Sequence, residues 1–114
     1  MKRISTHILD IVTGKPATDL PVRLEKQDAA GDWELLTSAR TDQDGRCLQL
    51  LPDGEDFSAG VYRLSFETGS YYAARQIATL YPVVEVNFQA RDGDLHFHIP
   101  LLLSPNGYTT YRGS

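Results

Sequence analysis

Residues 94–103 read DLHFHIPLLL, with Leu95, Phe97, Ile99, Leu101 and Leu103 at every second position. Only an extended strand turns such a set onto one face, because successive side chains leave a pleated backbone on opposite sides. The same period of two recurs in ISTHILDIV (4–12), VRLEKQ (22–27), WELLTSART (33–41), VYRLSFET (61–68), PVVEVNFQA (82–90) and GYTTY (107–111). Between these runs stand TGKPATDLP (13–21), DAAGD (28–32), DQDGRC (42–47), the polar loop PDGEDFSAG (52–60) and RDGD (91–94). Their Gly, Pro and Asp-Gly pairs mark turns, and RDGD reads as a hairpin between neighbouring strands. GSYYAARQIATL (69–80) is the one plausible helix. Many short strands at regular spacing predict a mainly β, antiparallel two-sheet sandwich with one short helix.

A chain of 114 residues suits one domain, 1–114, with one core. The net charge is −4, with both signs scattered, so the basic stripe of a nucleic-acid binder is missing. The longest strongly apolar run, IPLLL, is far too short to cross a bilayer, and no secretory apolar stretch follows MKRISTHILD. Cys47 is the only cysteine and reads as a small buried apolar residue. The expectation is a cytoplasmic protein that binds neither nucleic acid nor membrane. Trp33, Phe57, Phe66 and Phe88 read as core or core rim.

Alternation puts Asp94, His96, His98, Pro100 and Leu102 opposite the apolar set of the 94–103 strand. In the first strand Ser5, His7, Leu9 and Ile11 oppose Ile4, Thr6, Ile8, Asp10 and Val12. In the last, Thr109 and Tyr111 share a face. Histidine, Pro100 and Leu102 are poor water-facing choices, so these outward faces predict contact with another chain.

Three readings of His96 and His98 stay open on residue type and spacing. They are surface strand residues, zinc ligands with His7 as a third, or an acid and base in a cleft. No thiolate accompanies the metal reading. Arg46, after the Asp-Gly turn, is a solvated turn residue or a planar cation for a carboxylate or polarised carbonyl. Tyr111 and Arg112 are weak signals alone.

Three segments carry a resemblance over essentially the whole chain. STHILDIVTGKPA, DQDGR and HFHIPLLLSPNGYTTYRGS occur in order and resemble the 5-hydroxyisourate hydrolase branch of the transthyretin-related proteins. The closing YRGS is the most specific piece, since hormone-carrying transthyretins lack it. Asn106 stands where the family usually has an aromatic, and Phe97 where tyrosine is more usual.

The resemblance implies a transthyretin-like (prealbumin-like) sandwich. Four copies form a homotetramer whose outward faces line a channel, with sites at subunit interfaces. It implies His7, Arg46, His98 and Ser114 as catalytic residues. Tyr111, Arg112 and Gly113 join them in holding the small-molecule substrate, 5-hydroxyisourate, an intermediate of urate breakdown. His96 falls outside that set and keeps the surface reading. Water opens the six-membered ring to give 2-oxo-4-hydroxy-4-carboxy-5-ureidoimidazoline, with His7 and His98 sharing water activation and proton transfer. Ser114 positions water or substrate through its hydroxyl or a terminal carboxylate. No metal and no organic cofactor is implied. The competing class is a transthyretin-like carrier of small ligands without catalysis.

Overall fold

The computed structural model describes residues 2–52 and 58–114; Phe57 and most of the polar loop at 52–60 lie outside them. Among these residues nine strands and one helix follow in the order β1 (Arg3–Asp10), β2 (Lys15–Pro16), β3 (Pro21–Gln27), β4 (Trp33–Arg40), β5 (Arg46–Cys47), β6 (Gly60–Phe66), α1 (Thr68–Ala73), β7 (Val84–Ala90), β8 (His96–Ser104) and β9 (Gly107–Thr110). One sheet runs β2-β1-β8-β9, with β5 also paired to β1, and the other runs β4-β3-β6-β7.

The core lies between the sheets. Ile4 and Ile8 of β1 and Phe97, Ile99, Leu101 and Leu103 of β8 meet Val22 and Leu24 of β3 and Tyr62, Leu64 and Phe66 of β6. All are buried, as period two requires when one face of each sheet is covered. Cys47 is buried with them, and burial pushes its thiol up to about 11. Trp33 is half-buried on the outward face of the second sheet, where the Arg63 guanidinium stacks 4.2 Å from its ring centre. Phe88 packs on the core rim against Tyr62 and Phe97.

Several expectations from periodicity are corrected. β1 ends at Asp10, not at residue 12, because the Asp10 carboxylate accepts the N–H groups of Val12 and Thr13 and turns the chain. Ile11 and Val12 are consequently exposed. Leu95 precedes β8 and is exposed rather than core. RDGD makes a turn, but β7 and β8 do not pair. Both edges of β8 are taken by β1 and β9, so the segment carries the chain from one layer to the other. β1 and β8 are parallel, the one exception to antiparallel pairing among the described strands.

The helix spans six residues and stops well before residue 80. Gln76 takes a left-handed φ of 58°, and Thr79 Oγ1 and Leu80 N–H then donate to the Pro105 carbonyl. The segment after the helix is thus tied to the β8–β9 turn. Tyr71 anchors the helix by donating its hydroxyl to Asp10 Oδ2 at 3.0 Å, while Arg75 stacks on the Tyr71 ring.

Candidate active site

The outward face of the β1–β8 pair gathers the imidazoles. In the parallel register Ser5 stands opposite His98, and His7 opposite Pro100. On its other side His7 stands opposite Arg46 of β5. Arg46 is set there by the turn before it. Asp42 Oδ1 accepts the N–H groups of Asp44 and Arg46, and Gly45 adopts φ +73°. A side chain at Gly45 would meet the Ile8 carbonyl at 2.5 Å, so glycine lets the turn press onto β1. The Asp-Gly pair therefore delivers the guanidinium to the histidine face.

The tail closes the site. β9 ends at Thr110, yet the Gly113 N–H donates to the His98 carbonyl at 2.7 Å. This bridge keeps the register set by Leu101 and Thr110, so the chain skips two residues and rejoins β8. Gly113 lies against the His98 ring, and Ser114 reaches the cavity beyond it. That cavity, about 130 Å³, is lined by Arg3, Ser5, Thr6, Arg46, Leu48, His96, His98 and Ser114.

His98 Nδ1 lies 2.8 Å from Ser5 Oγ, and His96 Nε2 lies 3.3 Å from the same oxygen. Burial, then the Arg46 cation, then His96, His7 and Arg3, hold the His98 imidazole below its ordinary value. It is therefore neutral at neutral pH, with Nε2 unpartnered among the described residues. Among the described residues no acidic side chain lines the cavity, and the Arg3 and Arg46 guanidinium groups face at most the one carboxylate of Ser114, so its charge suits an electron-rich, polarisable ligand.

Of the residues singled out in sequence, Arg46, His98 and Ser114 line one cavity, and His7 is the next outward residue along β1. Tyr111 and Arg112 are not with them. They line a separate cleft with Phe88, Phe97 and Thr110 at the sandwich edge. The Arg112 guanidinium sits 4.5 Å from the Phe97 ring centre and donates to the His96 carbonyl. Gly113 packs on His98 instead of lining the cavity. Pro100 is buried, and Leu9 and Leu102 are half-buried, so the expectation that a lone chain exposes all three is corrected. Tail contact with Pro100 contributes to this: a Cβ on Gly113 would lie 3.2 Å from its ring.

His96, read as a surface residue, belongs to the cavity, and so do Ser5 and Arg3. Ser5 shares its face with His7 by alternation, so position could have found it, but a single small hydroxyl beside Thr6 carries no chemical signal of its own. No group of three His, Cys, Asp or Glu among the described residues is placed to hold a metal ion.

Residues 4–113 match the HIUase/Transthyretin family. A 5-hydroxyisourate hydrolase of Salmonella typhimurium is 44% identical over 97% of this chain and 80% of its own length. One from Mus musculus is 43% identical over 97% and 94%. Among solved structures, Klebsiella pneumoniae 5-hydroxyisourate hydrolase superposes with a TM-score of 0.86 at 36% identity, covering all of both chains. Sea bream transthyretin in complex with thyroxine superposes at 0.91 with 34% identity, over 97% of this chain and 94% of that one.

Proposed function

The chain belongs to the HIUase/Transthyretin family, and from that premise we propose that it is a hydrolase that opens the six-membered ring of 5-hydroxyisourate. The observation that carries this reading is a neutral His98 with a free Nε2 beside the Arg46 guanidinium in one cavity. Those are the two groups that hydrolysis of an activated cyclic amide needs: a base for water and a cation for the developing oxyanion.

In the proposed reaction His98 Nε2 takes a proton from water as the oxygen bonds to the ring carbonyl carbon. Arg46 stabilises the negative oxygen. The carbonyl carbon–nitrogen bond then breaks, and the departing nitrogen takes a proton from the imidazolium. His7, two residues along β1 from Ser5 and paired with Arg46, would share proton transfer. Ser114 orients water or substrate through its hydroxyl. The product is 2-oxo-4-hydroxy-4-carboxy-5-ureidoimidazoline.

We assign the complete site to a homotetramer. A volume of about 130 Å³ is small beside the roughly 300 Å³ and upward of ordinary ligand sites. Leu48 on the cavity wall is 61% exposed and Tyr111 is 54% exposed. A second copy packed on this face would cover Leu48 and enlarge the enclosure, and Tyr111 and Arg112 would meet substrate from the neighbouring edge cleft of an adjoining copy. A cytosolic setting suits the buried Cys47 thiol.

The test is to generate 5-hydroxyisourate in place with urate oxidase and follow its ultraviolet absorbance with and without this protein. Faster decay is expected. Decay at the spontaneous rate would sink the enzyme reading and leave a carrier of small ligands.

A further inference from the structure

Ser5 is the least conspicuous residue of the cavity, yet its hydroxyl contacts both imidazoles. It is 5% exposed. Its Oγ lies 2.8 Å from His98 Nδ1 and 3.3 Å from His96 Nε2, and no other side-chain bond is made by it among the described residues. One hydroxyl has one hydrogen and two lone pairs. If both rings donated to it, its own hydrogen would have no side-chain acceptor among the described residues, which is costly at a site this buried. It therefore donates to one ring and accepts from the other.

Two directions satisfy that rule, and they have opposite chemistry. When His96 Nε2–H donates to Ser5 and Ser5 donates to His98 Nδ1, His98 carries its hydrogen on Nε2 and has no lone pair left for water. When His98 Nδ1–H donates to Ser5 and Ser5 donates to His96 Nε2, His98 Nε2 is bare. The charges around the cavity choose between them. Among the described residues two guanidinium cations, Arg3 and Arg46, line it against at most one carboxylate, that of Ser114, and no acidic side chain does. A lone pair is favourable in that field and an N–H is not.

We propose that Ser5 is a positioning residue that holds His98 in the Nδ1–H tautomer, with His96 Nε2 as terminal acceptor, so that His98 Nε2 is kept as the free base. This rests on the reading of His98 as the base in hydrolysis. It also gives His96 a part that no contact with substrate requires: it accepts the hydrogen that fixes the direction of the chain. When His98 takes the proton of water, its Nδ1–H stays bonded to Ser5, and no rearrangement is needed before the proton moves on to the leaving nitrogen.

The test reads the tautomer directly, without substrate. Long-range proton–nitrogen correlation of histidine-labelled protein near pH 8 separates a protonated ring nitrogen from a bare one. For the unmodified protein the expected pattern is a protonated Nδ1 and a bare Nε2 on His98. Ser5→Ala removes the acceptor that holds the hydrogen on Nδ1, leaving only the field of Arg3 and Arg46 to oppose Nε2–H, and should shift the balance toward Nε2–H, the commoner form in water. His96→Phe should do the same by a different route, since Ser5 then turns its hydrogen to His98 Nδ1. Ser5→Ala should also lower kcat about 10- to 100-fold with KM changed less than about threefold. A hydrogen on Nε2 of the unmodified protein overturns the proposal, and so does a tautomer indifferent to both substitutions. Because the spectrum needs no turnover, a protein that proved inactive on 5-hydroxyisourate would refute the hydrolase reading separately.

Discussion

The Gly113 α-carbon rests against the His98 imidazole, and a Cβ built on it would lie 2.5 Å from His98 Cδ2. Gly113 also donates its N–H to the His98 carbonyl at 2.7 Å, so backbone and ring are held together. Gly113→Ala should therefore push the ring off its bond to Ser5 while leaving the sandwich folded. A displacement of this kind costs on the order of 10²-fold in turnover. Unchanged circular dichroism with a collapsed kcat is the expected pair of results; full activity would show that the ring has room to move.

The acid limb of the rate should have its midpoint below pH 6.5. Burial and the neighbouring cations depress the His98 value from 6.5, and a base works only when unprotonated. Stability carries the same sign. Between the lowered folded value and 6.5 the unfolded chain binds more protons, so this contribution is fully present above 6.5 and is lost as pH falls through the folded value. A pH profile of kcat/KM and a histidine titration check the two statements independently.

Replacing Arg46 should move that profile as well as the rate. Burial is the larger cause of the His98 shift and Arg46 the next. Arg46→Gln should thus raise the acid limb toward 6.5 while lowering kcat roughly 10²–10³-fold through loss of oxyanion stabilisation. A slower enzyme with an unmoved acid limb would mean that the guanidinium does not act on the imidazole.

Away from the site, Asp10→Ala should destabilise the fold. Asp10 is 2% exposed and accepts from the Tyr71 hydroxyl and from the Val12 and Thr13 N–H groups. Leaving the buried Tyr71 hydroxyl without its partner costs roughly 1–3 kcal/mol, while the exposed Val12 and Thr13 N–H groups turn to water. Urea unfolding should show a lower midpoint at constant slope.

Light scattering should give a tetramer at micromolar concentration, and activity per chain should fall on dilution as the assembly dissociates. The basis is the small single-chain cavity with Leu48 exposed on its wall. An active monomer would refute the shared site.

How much of this was legible beforehand depended on which physical signal each residue carries. Phe97, Ile99, Leu101 and Leu103 announced both a strand and its buried face, because alternation is local. Arg46 was found through its turn, since Asp42 and Gly45 constrain the backbone within five residues of one another. His96 carries the same alternation as His98, and alternation alone does not tell a surface imidazole from a cavity one. What distinguishes a surface imidazole from a cavity imidazole is the Ser5 hydroxyl, 91 residues away in the chain. Tyr111 and Arg112 were grouped with the histidines, but the chain leaves the ladder after Thr110 and lays both along the sandwich edge.

The elements and their faces are thus written in local pattern, because the pleat, turn dihedrals and hydrogen bonds within a few residues are properties of short stretches. Only the tertiary structure decided that β1 and β8 run parallel side by side, placing Ser5 opposite His98, and that the tail returns to β8 at Gly113. Those pairings close loops of 93 and 15 residues between their partners. Such closures are set by the packing of two whole sheets on one core, to which no short segment has access.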